Sequence, residues 1–344
     1  MTKRDSVIIK GIAILMMLFL HLFNEQLMEF HPELDHMPYE PLCYIGSHPI
    51  EYIMTRFCRP VPFFFILSGY GISVMHTQGK LSFQGQLIRL LNIFIAYWIT
   101  LLIFVSLGHW LEYKNYPGSI WNLIANISAY SNSYNLSMWF LFPYTLICLS
   151  SSYIIKMIEH KKAYVSTLII SGLLYGITGY IIKYHINTIR YESILGHFLQ
   201  YIEYYFPFIC GIVMHKSSIL YHTKLNILDK HKLLTLILLI IIVLLKSTID
   251  SQSIDTLYAL AFIILFTKLK LHSHLNNTLF FIGKYSMVMW MVHIYLSHYF
   301  FTDFFYSFHS SLLIFANLTL VSLAISIIIT KISHSIFIKL TETK

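Results

Sequence analysis

His21 interrupts an otherwise apolar run near the N-terminus, Met16-Met17-Leu18-Phe19-Leu20-His21-Leu22, and Lys10 lies eleven residues before it. Eleven residues are close to three helical turns, so on a helix the two side chains share one face, roughly 16 Å apart. Ionisable groups inside a long apolar segment are costly to bury and point to function. An imidazole titrates near neutrality and can take a proton from an attacking hydroxyl. A cation three turns away can hold a phosphate. Together they suit a long, thin substrate with a polyanionic head and a reactive carbonyl at its tip, the shape of acyl-CoA. Taken singly, a histidine bonded to a neighbouring helix and a lysine that orients the chain explain the same residues. The spacing by itself names no reaction.

Other cations sit at the ends of apolar runs. Arg56 and Arg59 precede Pro60-Val61-Pro62 and the segment Phe63-Phe64-Phe65-Ile66-Leu67-Ser68-Gly69-Tyr70-Gly71. They can bind an acceptor's phosphate or carboxylate, or neutralise the acidic loop before them; packing and interfacial anchoring explain them as well. Arg89, in Gln86-Leu87-Ile88-Arg89-Leu90-Leu91-Asn92, is placed for a CoA phosphate or for a topology anchor. Cys43, Cys58, Cys148 and Cys210 form no CxxC pair, so no metal or redox site is signalled. Cys43 and Cys58 could bridge if their loop is extracytoplasmic; two free thiols is the plainer reading.

These residues belong to a chain built for lipid. Hydrophobic residues make up 56% of it and charged ones 12%, where a soluble domain carries about 25% charged. Mean hydropathy is +0.64. A span needs about 20 mostly apolar residues, and ten candidates follow one another: about 7–26, 60–77, 88–108, 137–156, 163–182, 199–215, 233–249, 254–269, 279–300 and 311–332. Continuous apolar runs without period-two alternation favour helices over a barrel. The expected fold is therefore all-α, a polytopic membrane bundle of about ten transmembrane helices forming one domain over 1–344. Residues 109–136, rich in Tyr and Asn with Trp110 and Trp121, read as a loop with an interfacial helix. The basic, apolar N-terminus resembles a signal peptide but lacks a small-residue cleavage site and reads as a retained first helix.

Charge gives an orientation. The net charge is +8, and the basic residues sit in short loops, where they act as topology signals rather than a nucleic-acid surface. With the N-terminus inside, eighteen of the 24 Lys and Arg fall on the inner side and six, Arg56, Arg59, Lys114, Lys183, Arg190 and Lys246, on the outer. That bias predicts an N-in, C-in arrangement and supports the span count. The first outer loop, about 27–59, is acidic (Glu29, Glu33, Asp35, Glu40, Glu51) and then basic. Its length suits a functional loop or a solvated cap.

The order of motifs resembles the acyltransferase-3 family of integral-membrane O-acyltransferases. Lys10 through His21 is similar to that family's first helix, a basic residue, ten spacers and a histidine, although the basic residue is usually Arg. Phe64-Phe65-Ile66-Leu67-Ser68-Gly69-Tyr70 resembles its second helix, and Arg89 its basic residue before the third. Met138-Trp139-Phe140-Leu141, Tyr205-Phe206-Pro207-Phe208-Ile209-Cys210-Gly211 and Phe281-Ile282-Gly283-Lys284-Tyr285-Ser286 through Trp290-Met291-Val292-His293 follow in register, so the likeness spans about 5–300. It implies transfer of an acyl group, usually acetyl, from cytoplasmic acyl-CoA to a hydroxyl of a cell-envelope or exported glycan, in a bacterial inner membrane. No permanently bound cofactor or metal is implied. By that likeness His21 is catalytic, as base or as transient acyl carrier. Lys10 and Arg89 would serve the donor, and Arg56, Arg59, Trp139 and His293 the donor or acceptor. Some relatives carry a fused extracytoplasmic domain; this chain ends after its last expected span, so it would act alone or pass the acyl group on.

A polysaccharide or small-solute exporter is the main rival, because intramembrane His and Arg also line transport paths. Ten-span transporters often carry inverted repeats with matched broken helices, and none is evident. A membrane sensor or scaffold is a third reading. The acceptor, the acyl group and the oligomeric state are open from sequence.

Overall fold

The computed structural model describes residues 1–24, 38–113, 116–158, 161–185, 192–221, 225–269 and 271–342. The acidic first half of the outer loop, with Glu29, Glu33 and Asp35, lies outside these, as do Lys114, Arg190, Lys224, Lys270 and Lys344 of the charge count. The described chain is helical apart from one hairpin of two-residue strands, β1 (Tyr44–Ile45) and β2 (His48–Pro49), turned by Gly46 at φ +64°.

In order, the helices are α1 (Lys3–Phe23), α2 (Ile50–Thr55), α3 (Pro60–Thr77), α4 (Phe83–Trp110), α5 (Ile120–Ile127), α6 (Leu141–Met157) and α7 (Lys161–His185). Then come α8 (Ile194–Lys216), α9 (Asn226–Lys230), α10 (Lys232–Thr248), α11 (Asp255–Lys268), α12 (Ser273–Ile294), α13 (Thr302–Tyr306) and α14 (Ser311–Glu342). Their starts carry ordinary helix signals. Thr2 and Asp5 form a reciprocal capping box on α1, with bonds of 3.1 and 2.7 Å. Ser82 and Ser193 cap α4 and α8, and Pro60 opens α3.

Every one of the ten expected spans is a helix. Among the described residues, seven segments are long and apolar enough to cross a membrane, fewer than the ten expected. The shortfall has plain causes. α10 has 17 residues, at the short end of the roughly 17–25 that cross the hydrocarbon core, and α11 has 14, below it. α8 has 23 residues but carries His197, Gln200 and Glu203 in its first half, with Pro207 inside it. Within 109–136 the chain forms a short helix, α5, which exposes Ile120, Trp121, Ile124 and Ile127.

Apolar side chains also cover the outside. α7 exposes Val165, Ile169, Leu173 and Ile177; α10 exposes Leu233, Ile237, Ile240 and Leu244. So much exposed aliphatic surface is tolerated in hydrocarbon and not in water. α1, α3, α8 and α12 form the centre, where their contacts are densest. α1 and α12 run parallel: Arg4 bonds Asn277, and His21 bonds His293. A Cβ on Gly11 would fall on the Leu279 carbonyl, and one on Gly283 on the Val7 carbonyl, so the two backbones touch. α3 and α8 are joined the same way. Gly69 faces the Phe208 carbonyl and Gly211 the Ile66 carbonyl. Small residues permit such close approach in a bilayer, where packing replaces the hydrophobic effect between helices.

Candidate functional site

α1 carries both Lys10 and His21, and the glycine contact with α12 sets what His21 meets. Gly11 to His21 is ten residues, and Gly283 to His293 is also ten. Parallel helices locked at the glycines therefore bring the two imidazoles together. His293 Nε2 lies 2.8 Å from His21 Nδ1, with ring centroids 4.8 Å apart. His293 is fully buried and His21 half-buried. On its other side, His293 Nδ1 lies 2.8 Å from the Trp290 carbonyl and 3.3 Å from that of Met289.

The surrounding backbone is tied down. Asn135 Nδ2 donates to the Met291 carbonyl at 2.6 Å, and the Ser137 hydroxyl, which donates to Asn135 Oδ1 at 2.6 Å, lies 3.3 Å from the Trp290 carbonyl. Phe140 stacks on Trp290 at 3.4 Å, and Phe64 leans on it at 5.0 Å. Past Ile294 the helix widens into a π-helical turn, Tyr295–Phe300. Such turns cluster at functional sites. This one delivers His298, whose Nε2–H donates to the His21 carbonyl at 2.9 Å, and the Tyr306 hydroxyl donates to the Leu22 carbonyl at 3.0 Å. The last carbonyls of a helix lack intrahelical partners, so these side chains both cap α1 and hold the turn that carries His21.

Three turns below His21, Lys10 is half-buried and close enough to Arg89 to feel its charge. Arg89 donates from Nη2 to the Met75 sulfur at 2.8 Å and lies within the field of Tyr144 and Cys148. Tyr144 in turn bonds Ser68 at 3.3 Å. Neither Lys10 nor Arg89 has a carboxylate partner among the described residues. Two neighbouring cations in an apolar core repel one another and lose hydration, and an anion between them relieves both costs.

The remaining expected site residues separate. Arg56 packs over the Tyr52 ring at 5.2 Å. Arg59 pairs with Asp250 at 3.1 Å and reaches Asp255 at 3.9 Å, while buried Lys246 holds Asp255 at 3.1 Å. Arg59 is thus engaged in an ion network joining α3 to the α10–α11 turn. Trp139 packs on Tyr204 at 5.4 Å, in an aromatic row that reaches Trp290 through Phe140. Cys43 and Cys58 are free thiols, Cys43 exposed and Cys58 buried. No group of three or more metal-ligand residues occurs among the described residues.

Sequence reasoning placed His21, Lys10 and Arg89 as candidates and ranked His293 only as a possible substrate contact. It did not anticipate Asn135, Ser137, His298, Tyr306 or Met75. Asn135 and Ser137 carried one weak signal, as small polar residues next to Trp139 at the mouth of an apolar run. The chain matches one family model, described as an acyltransferase domain (acyltransferase 3), over residues 7–331. No curated protein and no solved structure matches it.

Proposed function

Because the chain belongs to the acyltransferase-3 family of membrane acyltransferases, we propose that it moves an acyl group, acetyl in the simplest case, from cytoplasmic acyl-CoA to a hydroxyl of an envelope or exported glycan. The observation that carries this reading is the axis on α1. Two uncompensated cations, Lys10 and Arg89, lie about three turns from an imidazole held by a second imidazole. The cations match a polyanionic head and the imidazole a thioester at the end of its arm. His21 is the catalytic residue, and Lys10 and Arg89 hold the donor's phosphates. Arg56 and Trp139, on the His21 side of the bundle, are offered to the acceptor.

The proposed orientation is N-terminus inside, in a bacterial inner membrane. Lys3, Arg4, Lys80, Lys156, Lys216 and Lys268 all cluster at the end of the bundle that holds the N-terminus, which supports it. CoA would then enter from the cytosol beneath Lys10, and the glycan would approach from the far side. CoA is a substrate here, and no bound cofactor or metal is needed.

The test uses purified protein in nanodiscs with radiolabelled acetyl-CoA. Label transfer or CoA release that is lost in His21→Ala supports the enzyme. Solute flux that survives His21→Ala, with no CoA released by the wild type, would replace it with an exporter. A Lys10→Ala, Arg89→Ala double variant with unchanged acetyl-CoA KM would remove the donor assignment.

A further inference from the structure

We infer that His293 is a positioning residue that selects the reactive nitrogen of His21, so that Nε2 of His21 carries the free lone pair and His293 never touches substrate. The inference rests on the proposed acyl transfer and deepens it. It follows from which groups are able to donate. His293 Nδ1 faces two carbonyl oxygens, at 2.8 and 3.3 Å. Carbonyls only accept, so Nδ1 carries the hydrogen. A neutral imidazole has one N–H, so Nε2 of His293 is an acceptor. Its partner 2.8 Å away is His21 Nδ1, which must donate. His21 then has its own hydrogen on Nδ1, and Nε2 is bare.

The carbonyls that accept from His293 belong to backbone that is itself immobilised. The neighbouring Met291 carbonyl accepts from Asn135, whose Oδ1 in turn accepts from the Ser137 hydroxyl, and the Trp290 ring is clamped by Phe140. The tautomer of His21 is thus written by α12 and by the loop before α6, while His298 holds the His21 carbonyl from above. A histidine does here what a carboxylate does in a Ser-His-Asp triad, which orients the base and sets its tautomer. Unlike a carboxylate, it brings no negative charge into the apolar core.

The acceptor's hydroxyl oxygen attacks the thioester carbonyl while its proton passes to His21 Nε2. The C–S bond breaks, and the CoA thiolate takes that proton from Nε2, which returns His21 to its neutral form. The products are the ester and free CoA. An acyl group carried transiently on His21 would need the same bare nitrogen.

Two measurements on the full chain in nanodiscs test this. Nitrogen-15 NMR of histidine-labelled protein, with His21 assigned by its loss in His21→Asn, is expected to show Nδ1 protonated and Nε2 bare. A His21 ring protonated on Nε2 in the resting protein overturns the inference whether or not activity is seen. In kinetics, His293→Leu is expected to lower kcat by about 100-fold or more with acyl-CoA KM unchanged. His293→Gln, whose side-chain oxygen can accept from His21 Nδ1–H, is expected to recover at least about tenfold of that loss. Wild-type kcat in His293→Leu, or a Gln variant no better than Leu, also overturns it. Full activity in His21→Ala would sink the functional reading alone, and the NMR result would still decide the tautomer.

Discussion

The pairs α1–α12 and α3–α8 are built with one device and end differently. In each, reciprocal glycines let parallel backbones touch, and a histidine further along one helix meets a partner across the seam. In the first pair the partner, ten residues past the glycines, is His293, whose own bonds end on carbonyls. In the second, four residues past Gly69 and Gly211, His215 Nδ1 meets the Ser73 hydroxyl at 2.8 Å. A hydroxyl both donates and accepts and turns to suit, so Ser73 leaves the His215 tautomer undecided. The contrast separates two jobs of a seam. Close packing sets which residues meet, and the chemistry at the end of the hydrogen-bond chain sets the protonation state they hold.

The largest effect on activity is expected at the first seam. Gly283→Ala sets a methyl on the Val7 carbonyl and pushes α12 from α1. A displacement of about 1 Å at a reacting group costs on the order of 100-fold, so acetyl transfer should fall by that much in folded, monodisperse protein. Unchanged kcat would mean that the seam does not set the His21–His293 distance. Next in size is Lys246→Met, away from both seams, which leaves buried Asp255 with only the longer contact to Arg59. Unpairing a buried ion costs about 3–5 kcal/mol, and thermal denaturation in nanodiscs should show a marked loss of stability, with the kcat of the surviving folded protein retained.

The second seam should behave differently from the first. Gly211→Ala collides with the Ile66 carbonyl and should cost about 1–3 kcal/mol of stability, visible as a lower melting temperature. Its kcat loss should stay well below that of Gly283→Ala; an equal loss would make both seams part of the chemistry. The smallest expected effect is at Gly71, two residues from Gly69 on the same helix, where a Cβ meets nothing within 4 Å. Gly71→Ala should leave melting temperature and kcat near wild type. A collapse there would show that glycine is needed for something other than close approach.

Much of this was legible in the residues. Each apolar run became a helix near its expected bounds, with Pro60–Thr77 reproduced residue for residue. The break in hydropathy at His21 and its phase with Lys10 marked the axis of the site. Three expected spans fall outside the seven that are long and apolar enough to cross: α10 and α11 are short helices, and α8 carries buried polar residues that an apolar average conceals. The contact between His293 and His21 is not legible locally, because the two lie 272 residues apart and nothing in the neighbouring residues marks the pairing. Arg59 was read toward an acceptor, and only the fold reveals that Asp250 and Asp255 occupy it.

The sequence alone determined that this chain is a set of apolar helices with a histidine and two cations in the wrong solvent. In lipid each helix must satisfy its own backbone hydrogen bonds, so helix formation is decided locally and is written in consecutive residues. Which nitrogen of His21 is left bare was decided only by the tertiary structure. That outcome depends on the register of α1 against α12, set by glycines in backbone contact, and on carbonyls at Trp290 and Met289 that can accept but never donate.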